Sequence, residues 1–260
     1  MIPKIIHYCW LSGDPIPPKL QECMNSWKKY LPDYELMLWD LNRFDINSTL
    51  WTKQAFEAKK YAFAADYIRL FAVYTYGGIY LDMDVEIVKS FNSLLERNYI
   101  LGFEKSNGIE AGIFGGEKGS YWLKDCLDYY KERSFVLSDN KYATLPLPNI
   151  MYQCMSKYIN SMEIFPNEYL TAKSYKTGII TTTNNTYSIH HFAGSWLSEE
   201  EKFVYEFSHN HWLFLPLKVR GSLSKMYAAY KFRGINAFFL QVQKSFRTLI
   251  FGENSNYENG

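Results

Sequence analysis

The sequence predicts an α/β fold: a largely parallel sheet flanked by helices. Three observations carry that expectation. Strand-like and helix-like segments alternate along most of the 260 residues. The glycine pair Gly77-Gly78 separates a long helical pattern from the apolar run Ile79–Leu81. Beyond about Leu215 the pattern becomes wholly helical, basic and amphipathic. The expected organisation is therefore a domain over 1–214 with a helical extension over 215–260.

Lys4 to Trp10 reads as a first buried strand, closed by the turn-rich stretch Ser12 to Pro18. A helix follows over about 19–30, with Leu20, Met24, Trp27 and Leu31 at helical spacing. Pro32-Asp33 ends it, and Tyr34 to Trp39 reads as a second strand. Two helical segments then cover 49–76, the second expected to bury Phe63, Tyr67, Leu70, Phe71 and Tyr74. Past the glycines come strands at Ile79–Leu81 and Val85–Val88, then at Tyr99–Phe103 and Ile109–Phe114. Helices are expected near Tyr121–Arg133 and Asn149–Tyr158, and a last strand at Tyr187–His191.

A hydrophobic share of 47% with 21% charged residues is globular composition, enough to bury a full core. Net charge is +1, so no global field draws the chain to nucleic acid. The charge is unevenly placed. No Asp or Glu lies between Glu206 and Glu253, whereas Lys218, Arg220, Lys225, Lys231, Arg233, Lys244 and Arg247 all fall there. The cysteines are scattered without CxxC spacing, which favours reduced thiols. Met1 leads directly into strand-like sequence, and no apolar run reaches the ~18 residues of a spanning helix. These features set the expectation of a cytoplasmic protein.

The chemistry centres on Asp82-Met83-Asp84. Side chains two apart in a strand share a face, so the two carboxylates can converge while Met83 points away. Two hard oxygen donors suit a divalent cation such as Mg²⁺ or Mn²⁺, and such a cation can neutralise a diphosphate. Asp66 and Arg69 lie i,i+3 on the preceding helix, which in isolation reads as a surface salt bridge of little worth. His7 reads as a core histidine, and Trp39, Trp51 and Trp122 as core. His209-Asn210-His211 lacks the companions of a zinc site, and the stretch from Asp82 to Glu86 lacks those of an EF-hand.

Taken together, Ile6-His7-Tyr8-Cys9-Trp10, Ala64-Ala65-Asp66-Tyr67-Ile68-Arg69-Leu70, Gly77-Gly78-Ile79-Tyr80-Leu81-Asp82-Met83-Asp84 and His190-His191-Phe192-Ala193-Gly194-Ser195-Trp196 form an ordered set. The set resembles the Asp-x-Asp glycosyltransferases of family 32, which include capsular-polysaccharide transferases and yeast initiating mannosyltransferases. More distantly it is similar to the glucosyltransferase domains of large clostridial toxins. The resemblance implies a GT-A-like, Rossmann-type fold, a nucleotide-sugar donor, a divalent metal (Mn²⁺ or Mg²⁺) and retention of anomeric configuration. By position it implies Trp10 near the nucleobase and Asp66 and Arg69 at the donor sugar. Asp82 would lie near ribose and metal, with Asp84 ligating the metal directly. His191 or Ser195 would contribute to metal or diphosphate, and Trp196 would touch the leaving diphosphate.

A retaining double displacement would need a carboxylate on the far face of the sugar, and Glu104 and Glu110 are the nearby candidates. The favoured reading treats both as solvated loop charges, with reaction on the leaving-group face. The function expected is transfer of a hexose, from a UDP-sugar ahead of a GDP-sugar, to a growing bacterial surface or capsular polysaccharide. The acceptor would be a glycan or a lipid-linked oligosaccharide, with residues 218–251 resting on the inner face of the cell membrane. A protein-modifying, toxin-like transferase and a non-catalytic nucleotide-sugar-binding module are the alternatives.

Overall fold

The structure is a computed structural model that describes residues 1–104, 108–139, 141–175, 177–194, 199–210 and 215–251. Ser195, Trp196 and His211 lie outside the described residues, as does the side chain of His209. The chain divides into two compact units, Met1–Tyr175 with Ile179–Trp196, and Lys176–Gly178 with Leu197–Gly260.

In the first unit β1 (Ile5–Cys9), α1 (Pro18–Tyr30), β2 (Glu35–Trp39), α2 (Leu50–Glu57) and α3 (Tyr61–Tyr76) lead to β3 (Gly78–Leu81) and β4 (Val85–Ile87). Then come β5 (Tyr99–Ile100), β6 (Ile113–Gly116), α4 (Tyr121–Asp128), α5 (Leu147–Met155), α6 (Asn167–Leu170) and β7 (Ser188–His190). The main sheet has the order β2-β1-β3-β6-β5. β1 pairs in parallel with β2 and β3, while β6 is antiparallel to both β3 and β5. Four of the five strands therefore run the same way, and the expected fold class is borne out: a mostly parallel sheet flanked by helices. β4 and β7 form a separate antiparallel pair in which Val85 faces His190.

Alternation along β3 sorts its side chains between the two sides of the sheet. Ile79 and Leu81 join Trp27, Ile6 and Val85 in one apolar core. Tyr80 joins the other, with Trp39, Phe63, Ile68 and Phe114. Helix α3 packs on the Tyr80 side. Its buried residues are Phe63, Ala64, Ala65, Asp66, Ile68, Arg69, Leu70, Ala72 and Val73. Tyr67, Phe71 and Tyr74, expected among the buried set, are only partly covered. The small alanines let the helix backbone approach its neighbours closely, and the larger aromatics fill the flank.

The glycine pair does what its position predicts. Gly77 ends α3 with φ 70°, and its N–H closes the helix on Val73 O at 2.8 Å. Gly78 has φ 110°, and a Cβ there would lie 2.7 Å from Ile5 O on β1. Buried His7 locks this turn, with Nε2–H donating to Gly77 O at 2.7 Å and Nδ1 accepting from Trp39 Nε1 at 3.1 Å.

The second unit contains α7 (Glu199–Asn210), α8 (Leu217–Arg233) and α9 (Ile235–Phe251). Phe203 and Phe207 on α7 meet Tyr227 on α8, and Tyr230 on α8 meets Phe238 on α9. Ile235, Phe239, Leu240 and Phe246 of α9 stand exposed.

Candidate active site

Asp82 begins where β3 ends, its N–H donating to Gly112 O at 2.7 Å. Tyr80, two residues earlier on the same face, donates its hydroxyl to Asp82 Oδ1 at 2.8 Å. Arg69 approaches from α3 and donates Nη1 to Asp82 Oδ2 (3.2 Å) and to Ala111 O (3.0 Å). Its Nη2 lies 3.3 Å from Asp66 Oδ1, and its guanidinium sits 4.7 Å from the centre of the Tyr80 ring. Asp66 and Arg69 are only 8% and 7% exposed, so this pair is no surface salt bridge. Burial pushes the Asp66 carboxyl up to about 7, against the pull of Arg69.

Asp84 is held on its other side by the returning chain. Its Oδ2 accepts from Ala193 N at 2.6 Å, and its backbone O from His191 N at 3.0 Å. Its Oδ1 lies 3.4 Å from His190 Nε2. Burial alone would push the Asp84 carboxyl up; His190 and the Ala193 amide outweigh it and hold Asp84 at about 2. Burial would likewise push the His190 imidazole down, yet Asp84 and Glu110 on its two sides hold it well above the ordinary histidine value. The Nδ1 of His190 lies 3.0 Å from Glu110 Oε1.

Asp82, Asp84 and His190 each offer a ligand atom, all within 4.8 Å of one another, which makes them the candidate cation site among the described residues. Two carboxylate oxygens and one imidazole nitrogen suit a divalent ion such as Mn²⁺. Gly112 leaves the space: a Cβ there would lie 2.5 Å from His190 Cε1 and 3.0 Å from Asp82 Oδ2.

Of the residues picked from the sequence, Asp66, Arg69, Asp82 and Asp84 come together. His191 does not join them through its ring, since its Nε2 lies 2.9 Å from Glu86. His190 ends β7 and takes the side of Asp84, while His191, just past the strand, turns its ring to Glu86. Trp10 follows β1 and pairs its N–H with Trp39 O, while its indole donates to Asp14 O at 2.7 Å. It lies just past the C-terminal end of β1, next to β3, the end of a parallel sheet where ligands bind. Ser195 and Trp196 lie outside the described residues.

Glu110 overturns its expected character as a solvated loop charge. It is 2% exposed and accepts from Gly112 N, Thr171 Oγ1 and His190. Sequence reasoning named His191 in place of His190, gave no role to Tyr80 although it stands two residues before Asp82 in the same run, and gave none to Gly112.

Residues 17–101 match the family model described as glycosyltransferase sugar-binding region containing DXD motif. The chain is 33% identical over 126 residues to inositol phosphoceramide mannosyltransferase 3 of Schizosaccharomyces pombe, covering 47% of this chain and 35% of that protein. It is 31% identical over 143 residues to mannosyl phosphorylinositol ceramide synthase SUR1 of Saccharomyces cerevisiae, covering 52% and 37% respectively. Among solved structures, PaToxG Glycosyltransferase superposes with a TM-score of 0.47 and 19% identity, covering 62% of this chain and 71% of that one. The chain thus spans little more than a third of the length of these two curated relatives. The resemblance read from the sequence is borne out by the family match.

Proposed function

We propose that this chain, whose residues 17–101 match a glycosyltransferase sugar-binding region, transfers a hexose from a nucleotide-sugar with retention of anomeric configuration. The carrying observation is the convergence of Asp82, Asp84 and His190 beside the buried Asp66–Arg69 pair. When bound there, a divalent cation, Mn²⁺ or Mg²⁺, supplies Lewis-acid stabilisation of the charge that develops on the leaving diphosphate. The protein's own groups do the rest. Arg69 holds Asp66 and Asp82 at fixed positions. Asp66 keeps lone pairs to accept from the sugar hydroxyls. Trp10 offers a ring to the nucleobase, and Ser195 and Trp196 are assigned to the diphosphate.

A UDP-hexose is the first donor to test. The names of the two fungal relatives put mannose beside it. We assign the acceptor to a surface or capsular glycan on a lipid carrier, which brings the second unit to an anionic membrane. Exposed Ile235, Phe239 and Phe246 share one side of α9 at helical spacing, within a stretch that has basic residues and no acidic ones. No helix among the described residues is long and apolar enough to cross a membrane.

A panel of UDP- and GDP-hexoses, assayed for cation-dependent hydrolysis, tests the activity. One donor should be consumed with Mn²⁺ or Mg²⁺, and consumption should cease on chelation or in Asp84→Ala. Undiminished turnover under either condition would overturn the proposal, as would a panel with no donor consumed. Sedimentation with phosphatidylglycerol vesicles tests the surface: wild type should pellet and Phe239→Asp/Phe246→Asp should not. Equal pelleting of the two, or none by wild type, removes the membrane assignment.

A further inference from the structure

We infer that Glu110 is a positioning residue, whose buried carboxylate sets which nitrogen of His190 faces the cation site and so sets cation affinity. The inference rests on the cation site proposed above. Glu110 Oε1 accepts from Gly112 N at 2.7 Å, and Oε2 from Thr171 Oγ1 at 2.6 Å. A carboxylate so held is acceptor-only, so the ring nitrogen 3.0 Å from Oε1 must carry a proton. That nitrogen is Nδ1. Nε2, at 3.4 Å from Asp84 Oδ1, is then the nitrogen that releases its proton to solvent when a cation binds and offers its lone pair.

Contacts on other sides fix the ring itself. Phe192 stacks on it with centroids 4.2 Å apart, and Cε1 lies over Gly112, where even a Cβ would be 2.5 Å away. Glu110 therefore completes a rigid seat for one imidazole orientation. Three donors already occupy its oxygens, which argues against Glu110 as the carboxylate that attacks the sugar.

Glu110→Gln tests this, because a neutral amide keeps the acceptor for Gly112 N and Nδ1 but loses the carboxylate charge that holds the Nδ1 proton and raises the basicity of Nε2. The full chain is titrated calorimetrically with Mn²⁺ alone and, separately, with Mg²⁺ alone. Glu110→Gln should weaken Mn²⁺ binding about 10- to 100-fold. In a His190→Gln background the same change should have no further effect. Equal Mn²⁺ affinity in wild type and Glu110→Gln overturns the role of Glu110 alone, as does a loss that persists in the His190→Gln background. Wild type that binds neither ion overturns the cation site itself. If circular dichroism shows Glu110→Gln unfolded, Thr171→Val carries the test. It removes one hydrogen bond from the carboxylate and should weaken Mn²⁺ binding several-fold; unchanged affinity refutes the inference.

Discussion

Arg69 and Asp82 meet at 3.2 Å across two elements, and this contact fixes the end of β3 against α3. The same guanidinium holds Asp66 and Ala111 O, so one buried cation organises both carboxylates and the loop that covers them.

Removing Arg69 would leave Asp66 buried without its partner. Arg69→Ala should destabilise the first unit by about 3–5 kcal/mol, the usual cost of stranding a buried charge. Urea unfolding measures this, and adding Asp66→Asn should recover part of the loss. A single-variant change below about 1 kcal/mol would show the pair to be energetically idle.

Gly112 tests the space around the cation site. Its backbone lies outside the left-handed region, so Gly112→Ala meets no conformational barrier, but its Cβ would press on the His190 ring at 2.5 Å and on Asp82 Oδ2 at 3.0 Å. Overpacking of this kind costs about 1–3 kcal/mol. Displacing His190 should lower Mn²⁺ affinity by about tenfold, equivalent to ~1.4 kcal/mol. Titration that finds the wild-type affinity would mean that His190 can yield without cost.

His7 gives a pH prediction. Burial pushes its imidazole down from 6.5 to about 4, and Arg43 adds to this, although the hydrogen bond to Gly77 O works the other way. Between those values the unfolded chain binds a proton that the folded chain does not. Stability from this residue is complete above pH 6.5 and is lost as pH falls toward 4, by about 3 kcal/mol in all. His7→Gln keeps a donor for Gly77 O but has no imidazole to titrate. The wild-type stability minus that of the variant, from unfolding at several pH values, should therefore fall across this window. A flat difference would refute it.

Gly78 admits no side chain. With φ 110° and Ile5 O 2.7 Å from an added Cβ, Gly78→Ala combines backbone strain with a clash on β1. A loss of about 3 kcal/mol or more is expected, seen as a lowered thermal midpoint or loss of soluble protein. A wild-type midpoint would show that β1 and β3 can separate locally.

Much of this could be read along the chain because the signals are local. The stop at Gly77-Gly78, the apolar run after it and the i,i+2 spacing of Asp82 and Asp84 depend only on neighbours, and backbone geometry converts such spacing into shared faces. The alternating pattern likewise implied a mostly parallel sheet, and order and spacing carried the family resemblance.

Tertiary structure decided the matters that turn on distant partners. Asp66–Arg69 reads as a surface pair until the fold buries it beneath Ala111. Glu110 reads as a solvated charge until Thr171 and His190 arrive from 61 and 80 residues away. Between His190 and His191 the local sequence does not choose; the pairing of β7 with β4 selects the one that meets Asp84. The sequence by itself determined which residue types lie at the end of β3. Burial and long-range pairing determined which side chains join them, because desolvation and hydrogen-bond geometry arise only when segments far apart in the chain are packed together.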